Sequence, residues 1–555
     1  MTEKETEKIK IFALGGVGEI GKNLYVIEVN SDIFIVDAGI MYPENEMFGI
    51  DMVIPDITYL VENANRIKAI FLTHGHDENI GGVFYLLQKL SAPIYGSALT
   101  LALLQEKLKM QQTDVKADFR KVHSKSVLRF GHVKISFFYT IHSIPDSLGI
   151  CFHTSQGAIV HSGDFKFDQT PVQNSFADIG EMAKIGSSGV LCLLSDSTNA
   201  EKLGHSGSEA IVGKEISDAM YQAEGRVLVT VFATNLFRVQ EVIDAAAQNN
   251  RKLAIVGKNM IRIVKLAVQL GYLTVPEDIL IPLQEISNYS SENVVILTTG
   301  RHGEPLGALE KMARQTHRYI SVDKGDTVLV AASPMPGQEL IFSKTIDLIY
   351  RTGANVVFKE RQIHVSGHGY QEELKLMLNI MKPKYLIPIN GEYKMQIAHA
   401  KLARMTGMEE DNIFLIEKGE MIELTNKEGK LSGQVQTGNV LVDGLGVGDV
   451  GNIVLRDRKL LSKDGILIIV LTISKAEKLM VAGPEIITRG FVYVRESEKL
   501  IEKAAALVAD RVENCLNNSV VEWSTIKNNV REGLSHYLFE QTKRRPMILP
   551  IIMEI

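Results

Sequence analysis

The chain has 555 residues, of which 45% are hydrophobic and 23% charged, a composition typical of an ordinary globular protein. This length exceeds what one hydrophobic core supports, so we expect about three or four domains. The net charge of −6 argues against a general nucleic-acid coat protein, although a local basic channel is compatible with it. The sequence has no run of about 20 apolar residues, no signal-peptide pattern and no CxxC pair, so we expect a cytoplasmic protein without membrane association.

The N-terminal segment predicts a β-hairpin. A strand pattern at residues 9–14 runs into the glycine-rich segment GGVGEIG at 15–21. Such a segment could be a dinucleotide-binding fingerprint, but strand patterns at 23–28 and 33–37 follow it where that motif requires a helix. A hairpin with turns that glycine permits is therefore favoured. Asp37 ends the last of these strands, and a helix is predicted at 57–63.

The most informative stretch is AIFLTHGHDENIGG at residues 69–82. A short apolar strand ends at Thr73, two histidines follow at alternate positions, and an acidic pair and two glycines precede a helical pattern. His74 and His76, on a loop that leaves a strand, can direct both imidazoles at one ion, as zinc-type sites require. The alternative is a pair of surface histidines on a polar loop, which the order of these features disfavours.

The same arrangement recurs twice further along the chain. His142 follows a predicted strand at 133–140, and Asp164 follows another at 158–161. Taken singly, His142 could be a hydrogen-bonded structural histidine and Asp164 a turn residue. If these strands belong to one pair of packed sheets, however, their loops converge at one edge. We therefore expect His142 and Asp164 to complete the metal site.

These motifs together resemble a known family. The order Asp37, His74-x-His76, His142 and Asp164 resembles the metallo-β-lactamase fold. LSDSTNA (194–200), IHVSGHG (363–369) and PINGEY (388–393) resemble motifs of the β-CASP nucleases. GGVGEIGKN (15–23), GDFKFD (163–168) and GPEIITRG (483–490) resemble bacterial ribonuclease J, and the similarity covers essentially the whole chain.

The resemblance implies an α/β fold. An αββα sandwich would occupy residues 1–208 and 364–424, interrupted by a β-CASP α/β domain at 209–363. Alternating strand and helix patterns between 226 and 358 agree with that insertion. A linker at 425–451 and a small α+β oligomerisation domain at 452–555 would follow.

The resemblance also implies two metal sites, here unequal. Members of the family hold the first ion, expected to be Zn²⁺, with residues that correspond to His74, His76, His142 and Asp164. The second ion shares Asp164 and uses Asp, His and His where this chain has Glu78, Asn79 and Asn390. Amide oxygens are weaker ligands than imidazole for zinc or Mn²⁺, so we expect a depleted second site. Mn²⁺ or Mg²⁺ remain alternatives to Zn²⁺.

The RNA-binding motif, in contrast, is complete. The resemblance implies that residues 364–368 bind RNA phosphate, preferably a 5′-monophosphate, and these residues are His364, Val365, Ser366, Gly367 and His368. It assigns catalysis to His74, His76, Asp164 and His368. Two further loops, at 298–305 and 332–339, have the composition of phosphate-contacting turns; the alternative is that they are ordinary turns at strand ends. In the first of them Arg301 and His302 replace the usual Ser and Gln, which leaves its contacts open.

The expected function is therefore that of a ribonuclease J-type RNA-processing protein. The resemblance implies 5′→3′ exonuclease activity in mRNA decay and ribosomal RNA maturation, leaves endonuclease activity open, and implies dimers or tetramers. A complete fold with a depleted second site most resembles the weakly active paralogue of Gram-positive bacteria, which works in a complex with an active paralogue and other RNA-decay proteins. Alternatives are a non-catalytic RNA-binding subunit and a fully competent exonuclease. The inserted domain and the pair Ser366 and His368 disfavour a non-nuclease hydrolase and a scaffold without RNA contact.

Overall fold

The fold was analysed in a computed structural model, which describes residues 7–555 apart from 45, 112–114, 300–305, 335–337, 359–361, 475, 493–496, 519 and 521. The chain divides into two units by its internal contacts. The first holds the described residues up to Tyr42 together with Met52–Val440, and the second holds Pro43–Asp51 with Leu441–Ile555. Arg301, His302 and most of the predicted loop at 298–305 lie outside the described residues, as does the middle of the loop at 332–339.

Two mixed sheets form the centre of the first unit. The strands of one are, in spatial order, Gly429–Gln434, Glu420–Leu424, Ile9–Gly15, Leu24–Val29, Asp32–Val36, Ile67–Phe71, Ile94–Gly96 and Phe119–Lys121. Those of the other are Tyr385–Ile389, Val190–Asp196, Gly157–His161, Leu148–Thr154, Val133–Tyr139 and Val127–Phe130. Aromatic side chains fill the space between the sheets: Phe34 lies 5.6 Å from Phe152, and Phe71 lies 6.0 Å from Phe137 between ring centroids. Each such buried ring contributes about 1.5–3 kcal/mol of hydrophobic stabilisation.

Helices cover the outer faces of both sheets. Thr58–Glu62, Val83–Leu87 and Ala98–Met110 pack their buried leucines and valine on the first sheet. Ile179–Ser188, Gln371–Met381 and Tyr393–Met405 do the same on the second. Strands with both faces covered are apolar almost throughout, as Val190–Asp196 is. The helix–sheet–sheet–helix order confirms the predicted αββα sandwich.

A parallel sheet lies within the predicted insertion. Its strands, in spatial order, are Lys252–Val256, Val294–Thr298, Val227–Thr230, Thr327–Val330 and Asn355–Val357. Helices flank it on both faces: Glu209–Gln222, Leu236–Gln248 and Lys258–Gln269 belong to one apolar core, and Gly307–Ala313 and Glu339–Arg351 to another. This doubly covered parallel sheet confirms the predicted α/β character of the insertion.

The second unit contains a three-stranded sheet within its described residues, in the order Leu479–Arg489, Ile466–Ser474 and Met547–Glu554. Helices Glu498–Asn517 and Trp523–Thr542 pack on one face of it, against Leu467, Ile469 and Leu471. A further helix spans Asn452–Asp464. Short elements elsewhere in the chain are the strands Met52–Pro55, Asn439–Asp443 and Gly446–Val447, the helix Asp77–Ile80, and the 3₁₀ turns Ala64–Arg66, Val172–Asn174, Leu283–Asn288, Ser291–Asn293 and Glu410–Asn412.

Two features differ from or add to the sequence analysis. Within the predicted linker at 425–451, Gly429–Gln434 is an edge strand that pairs with Glu420–Leu424, so the sandwich sheet extends past residue 424. The sequence pattern predicts one long helix at 498–516; the structure has it at Glu498–Asn517 and adds a second, Trp523–Thr542. The domain boundaries otherwise stay predictions. None of the described helices combines the length and apolar character that crossing a membrane requires.

Candidate metal centre

The direction of the strands gathers the candidate residues at one edge of the sandwich. Val133–Tyr139, Gly157–His161, Val190–Asp196 and Tyr385–Ile389 all run the same way in the second sheet. Asp32–Val36 and Ile67–Phe71 run parallel to each other in the first. The carboxyl ends of these strands are followed by, or end in, polar residues: Asp37, His74, His76, His142, Asp164, Asp196 and Asn390.

Three imidazoles meet at this edge. His76 Nδ1 lies 3.0 Å from His74 Nε2 and 3.1 Å from His142 Nε2. Asp164 Oδ2 lies 3.5 Å from His74 Nε2 and 3.9 Å from His142 Nε2. The structure thus brings together the four residues that the sequence predicts as ligands of the first ion.

Neighbouring groups fix which ring nitrogen of His74 and of His142 faces the centre. Thr73 Oγ1 donates to Asp37 Oδ2 over 2.8 Å, so it accepts the Nδ1 proton of His74 at 3.0 Å. His142 Nδ1 donates to the carbonyl oxygen of Gly367 over 2.8 Å. A side-chain carbon on Gly367 would lie 2.8 Å from His142 Nδ1, which explains the glycine at that position. Both Nε2 lone pairs therefore face the centre, as metal coordination requires.

Charge and burial at this centre favour a cation. Burial, reinforced by the neighbouring imidazoles, lowers the pKa of His74 and His142 well below the usual range and lowers the pKa of His76 to about 4. Burial, together with the nearby Asp196 carboxylate, raises the pKa of Asp164 well above its usual range. Asp164 Oδ2 is buried and has no hydrogen-bond partner within the described part of the chain. Three neutral imidazoles and one carboxylate oxygen fit the tetrahedral donor set of zinc.

The residues expected at a second ion are arranged differently. Asn390 Nδ2 donates to Asp164 Oδ1 over 2.8 Å, and Asn79 Nδ2 donates to Asp37 Oδ2 over 2.8 Å. Each amide thus presents an N–H group to a carboxylate. Glu78 belongs to neither of the groups of three or more potential ligands found among the described residues, which are His74–His76–His142 and His142–Asp164–His368. Asn390 thus places an N–H group at Asp164 Oδ1, where a ligand of a second ion would present an acceptor atom. Asp164 Oδ2 and the amide oxygens of Asn79 and Asn390 have no hydrogen-bond partner among the described residues.

Asp77 points away from the centre. Its carboxylate pairs with Lys107 and accepts a hydrogen bond from the Tyr42 hydroxyl at 3.0 Å. The short helix Asp77–Ile80 turns this side chain to one side and Glu78 to another. Asp77 therefore does not replace the carboxylate expected at position 78.

His368 lies beside the imidazole cluster and is held by Asp196. Its Nδ1 is 2.7 Å from Asp196 Oδ2, and its ring centroid is 4.9 Å from that of His142. Burial alone would lower the pKa of His368, but the charge and hydrogen bond of Asp196, together with the charges of Asp164 and Glu78, outweigh burial and raise it to about 9. Asp196 itself accepts from the amide and hydroxyl of Thr198 at 3.0 and 2.7 Å. The pair can hold a proton next to Asp164.

The predicted phosphate motif divides between two places. Gly367 and His368 face the metal centre, whereas His364, Val365 and Ser366 line a polar cavity of about 270 Å³. The other residues that line this cavity are Lys202, His205, Ser206, Gly207, Ser333, Gln362 and Tyr370. Asn199 Nδ2 donates to Ser366 Oγ over 2.8 Å and to the carbonyl oxygen of His368 over 3.1 Å, which closes the turn.

Sequence reasoning gave no role to several residues of this region. Asp196 and Asn199 stand in a motif quoted for the resemblance, and their position directly after a buried strand is the signal that could have identified them. Lys202, Arg238 and Glu209 carry no such local signal. They reach the site through the tertiary fold.

Comparisons with known proteins agree with this geometry. Family models match along the chain in the order Metallo-beta-lactamase superfamily (residues 17–201), Ribonuclease J, beta-CASP domain (224–349), Zn-dependent metallo-hydrolase RNA specificity domain (353–415) and Ribonuclease J C-terminal domain (453–555). A crystal structure of a protein of unknown function from Enterococcus faecalis V583 shares the fold, with a TM-score of 0.53 at 14% identity over 75% of this chain and 100% of that one.

Similar curated proteins cover the whole chain. Ribonuclease J2 of Bacillus subtilis is 60% identical over 555 residues, which span 100% of both chains. Ribonuclease J 2 of Staphylococcus epidermidis and that of Staphylococcus aureus are each 48% identical, again over 100% of both chains. At this identity and coverage, the chain belongs to the ribonuclease J family of metal-dependent ribonucleases.

Proposed function

We propose that this chain binds RNA and hydrolyses it weakly from the 5′ end, and that it works in the cytoplasm beside a catalytically complete paralogue. The observation that carries this proposal is the hydrogen bond from Asn390 Nδ2 to Asp164 Oδ1. Two-ion phosphodiesterases use the second ion to neutralise charge that develops on the attacked phosphate. A neutral amide in place of a metal ligand leaves fewer positive charges to neutralise the negative charge on that phosphate. Weak activity in mRNA decay and ribosomal RNA maturation follows.

The first site supports the remaining activity. A zinc ion bound by His74, His76, His142 and Asp164 would supply Lewis-acid charge and lower the pKa of a water molecule. Thr73 and Gly367 hold two of the imidazoles in the required tautomer. His368, fixed by Asp196, holds a proton near the carboxylate of Asp164 and can give it to a leaving oxygen. Mn²⁺ or Mg²⁺ are the alternatives to test in place of zinc.

The polar cavity supports RNA binding. Lys202 offers an ammonium group, and Ser366 and His364 offer a hydroxyl and an imidazole on the same wall. Hydrogen bonds from charged donors suit phosphate oxygens, and a terminal phosphate brings more negative charge than a bridging one. We therefore propose that a 5′-monophosphate of RNA occupies this cavity.

The decisive experiment measures hydrolysis of 5′-monophosphorylated RNA with Mn²⁺ or Zn²⁺ by wild-type chain, by His76→Ala and by a triple variant with Glu78→Asp, Asn79→His and Asn390→His. We expect activity near background for the wild type, none above background for His76→Ala, and a large gain for the triple variant. Two restored imidazoles should strengthen metal binding at the second site at least about 10–100-fold, the effect that even outer-shell changes have.

The opposite pattern would overturn the proposal. Strong wild-type activity that His76→Ala abolishes and the triple variant barely improves would make the native site fully competent. Background activity in the wild type and in both variants, with RNA binding retained, would favour a non-catalytic RNA-binding subunit.

The second unit supports self-association or association with a paralogue. On the face of its sheet opposite the helices, Leu549, Ile551 and Met553 are 44%, 41% and 49% exposed. They pair with Ile468, Val470 and Thr472 on the central strand, so the apolar surface is continuous. Contiguous apolar surface of this kind marks protein–protein contacts. We propose that it takes part in a homodimer or tetramer, or in the complex with the paralogue and other RNA-decay proteins.

Ile551→Glu tests this surface. A buried carboxylate at a contact would be strongly unfavourable, so we expect the particle mass by light scattering to fall to that of a monomer. Ile453→Glu, at a 67% exposed position on the helix Asn452–Asp464 of the same unit, is the matched control and should leave the mass unchanged. An unchanged mass for Ile551→Glu, or an equal loss in both variants, would exclude this face.

A further inference from the structure

A fully buried arginine connects the inserted domain to the phosphate motif. Arg238, on the helix Leu236–Gln248, is 0% exposed. Its Nη2 donates to both carboxylate oxygens of Glu209, at 2.8 and 2.7 Å. A buried ion pair is weak evidence for net stability, because desolvation of both charges offsets their attraction. The remaining donors of the guanidinium group indicate another role.

Two further contacts of the guanidinium group reach residues that line the cavity, His364 and Val365, whereas Nε has no hydrogen-bond partner among the described residues. Nη1 lies 2.7 Å from His364 Nδ1 and donates to the carbonyl oxygen of Ala331 over 3.0 Å, and Nη2 donates to the carbonyl oxygen of Val365 over 3.3 Å. A guanidinium group has no acceptor, so His364 Nδ1 must accept. Arg238 thus contacts two consecutive residues of the motif.

The protonation of His364 follows from these contacts. Burial, reinforced by the positive charges of Arg238, Lys202 and Lys166, lowers the pKa of His364 well below its usual range, and a hydrogen bond to the backbone of Ala331 opposes this only in part. A neutral imidazole whose Nδ1 accepts a hydrogen bond carries its proton on Nε2. His364 is therefore a hydrogen-bond donor through Nε2, and it lines the cavity together with Lys202 and Ser366.

We propose that Arg238 is a positioning residue for phosphate recognition, which fixes His364 as an Nε2–H donor toward a terminal phosphate in the cavity. This inference rests on the proposed function, because it takes the cavity as the place of the RNA 5′-phosphate. Val365 is held by the same guanidinium group, so the turn that carries Ser366 is fixed at the same time. Glu209 balances the charge that this arrangement buries.

The position of the His364 proton can be measured in the unmodified protein. In full-length chain with ¹⁵N-labelled histidine, the NMR signals of His364, assigned by their loss in His364→Asn, should show a neutral ring with the proton on Nε2. A proton on Nδ1, or a charged ring at neutral pH, would overturn the inference. This readout does not depend on the folding of any Arg238 variant.

Binding experiments then test the consequence for RNA. The probes are one oligoribonucleotide with a 5′-monophosphate and the same oligonucleotide with a 5′-hydroxyl, measured by fluorescence anisotropy in a His76→Ala background that prevents hydrolysis. Arg238→Lys should reduce the preference for the 5′-monophosphate about 10–100-fold, the effect of losing a hydrogen bond to a charged group. Arg251→Lys is the matched control: Arg251 is also buried in the inserted domain, but it donates to the carbonyl oxygens of Gly225, Met220 and Ala223, and its substitution should leave the preference unchanged.

Substitutions of His364 separate positioning from general damage. The amide nitrogen of glutamine can take the place of Nε2–H whatever lies at Nδ1, whereas asparagine places its amide at the Nδ1 position. His364→Gln should therefore keep most of the preference and make it insensitive to Arg238→Lys, and His364→Asn should lose it. If Arg238→Lys keeps the full preference, or if both RNAs lose affinity equally, the positioning role is wrong. If the wild type itself does not distinguish the two RNAs, the proposed function fails and not only this inference.

Discussion

Asp164→Asn is expected to abolish metal binding at the three-histidine centre and with it any hydrolysis of RNA. Asp164 supplies the carboxylate oxygen that lies 3.5 Å from His74 Nε2 and 3.9 Å from His142 Nε2. The neutral amide keeps the shape but removes the negative charge, so we expect zinc affinity to fall by more than the roughly 10–100-fold that outer-shell changes cost. Zinc content after gel filtration, by atomic emission, should fall from about one ion per chain to background.

Asp77→Asn is the matched control for that experiment. Asp77 is also an aspartate near the histidines, but its carboxylate contacts Lys107 and Tyr42. Zinc content of this variant should stay at the wild-type value. Equal zinc content in Asp164→Asn and the wild type would remove Asp164 from the ligand set.

Phe71→Ala should cause a large loss of stability in the sandwich. Phe71 is 0% exposed, and its ring lies between the sheets, against Phe137 and Phe152 at 6.0 and 5.7 Å. The cavity left behind should lower the free energy of unfolding by about 3–5 kcal/mol. Urea unfolding followed by circular dichroism measures this change, whereas the fluorescence of the single tryptophan, Trp523, reports the second unit.

Phe176→Ala removes the same ring from a 59% exposed position of the same unit. It should change the free energy of unfolding by less than about 0.5 kcal/mol, as surface substitutions usually do. A small effect of Phe71→Ala would mean that the two sheets close over the cavity. In that case the aromatic layer would not hold the strand that precedes His74.

The sequence predicts the scaffold, and the convergence of the candidate ligands at one edge, for a physical reason. His74, His142 and Asp164 each follow a short apolar strand, and parallel strands in packed sheets bring such ends together. Which amide atom Asn79 and Asn390 turn toward their neighbours could not be predicted in the same way. An amide can present oxygen to an ion or an N–H group to a carboxylate, and the tertiary neighbours Asp37 and Asp164 decide between them.

Arg238 lies still further from what a linear sequence reveals. It contacts His364 across 126 positions of sequence, and its surroundings in the helix Leu236–Gln248 are those of an ordinary amphipathic segment. The helix Glu498–Asn517, in contrast, can be predicted from the local sequence, because its apolar residues recur at helical spacing. A charged side chain inside a core has no such periodic signature, and its partners become known with the fold.

If the chain holds one ion, as proposed, the two asparagine amides also make a second site hard to restore by single substitutions. Asn390→His alone would replace the N–H group that satisfies Asp164 with a bulkier ring, while Asn79 still donates to Asp37 and Glu78 remains one methylene longer than aspartate. Asn79→His alone would likewise remove the N–H group that Asp37 accepts, while Asn390 still donates to Asp164. Each single reversion removes a hydrogen bond in a buried place before the ion that would compensate for it can be held. On the proposed function, a chain with both asparagines would therefore reach a two-ion site only through variants that have lost a buried hydrogen bond and do not yet hold the second ion.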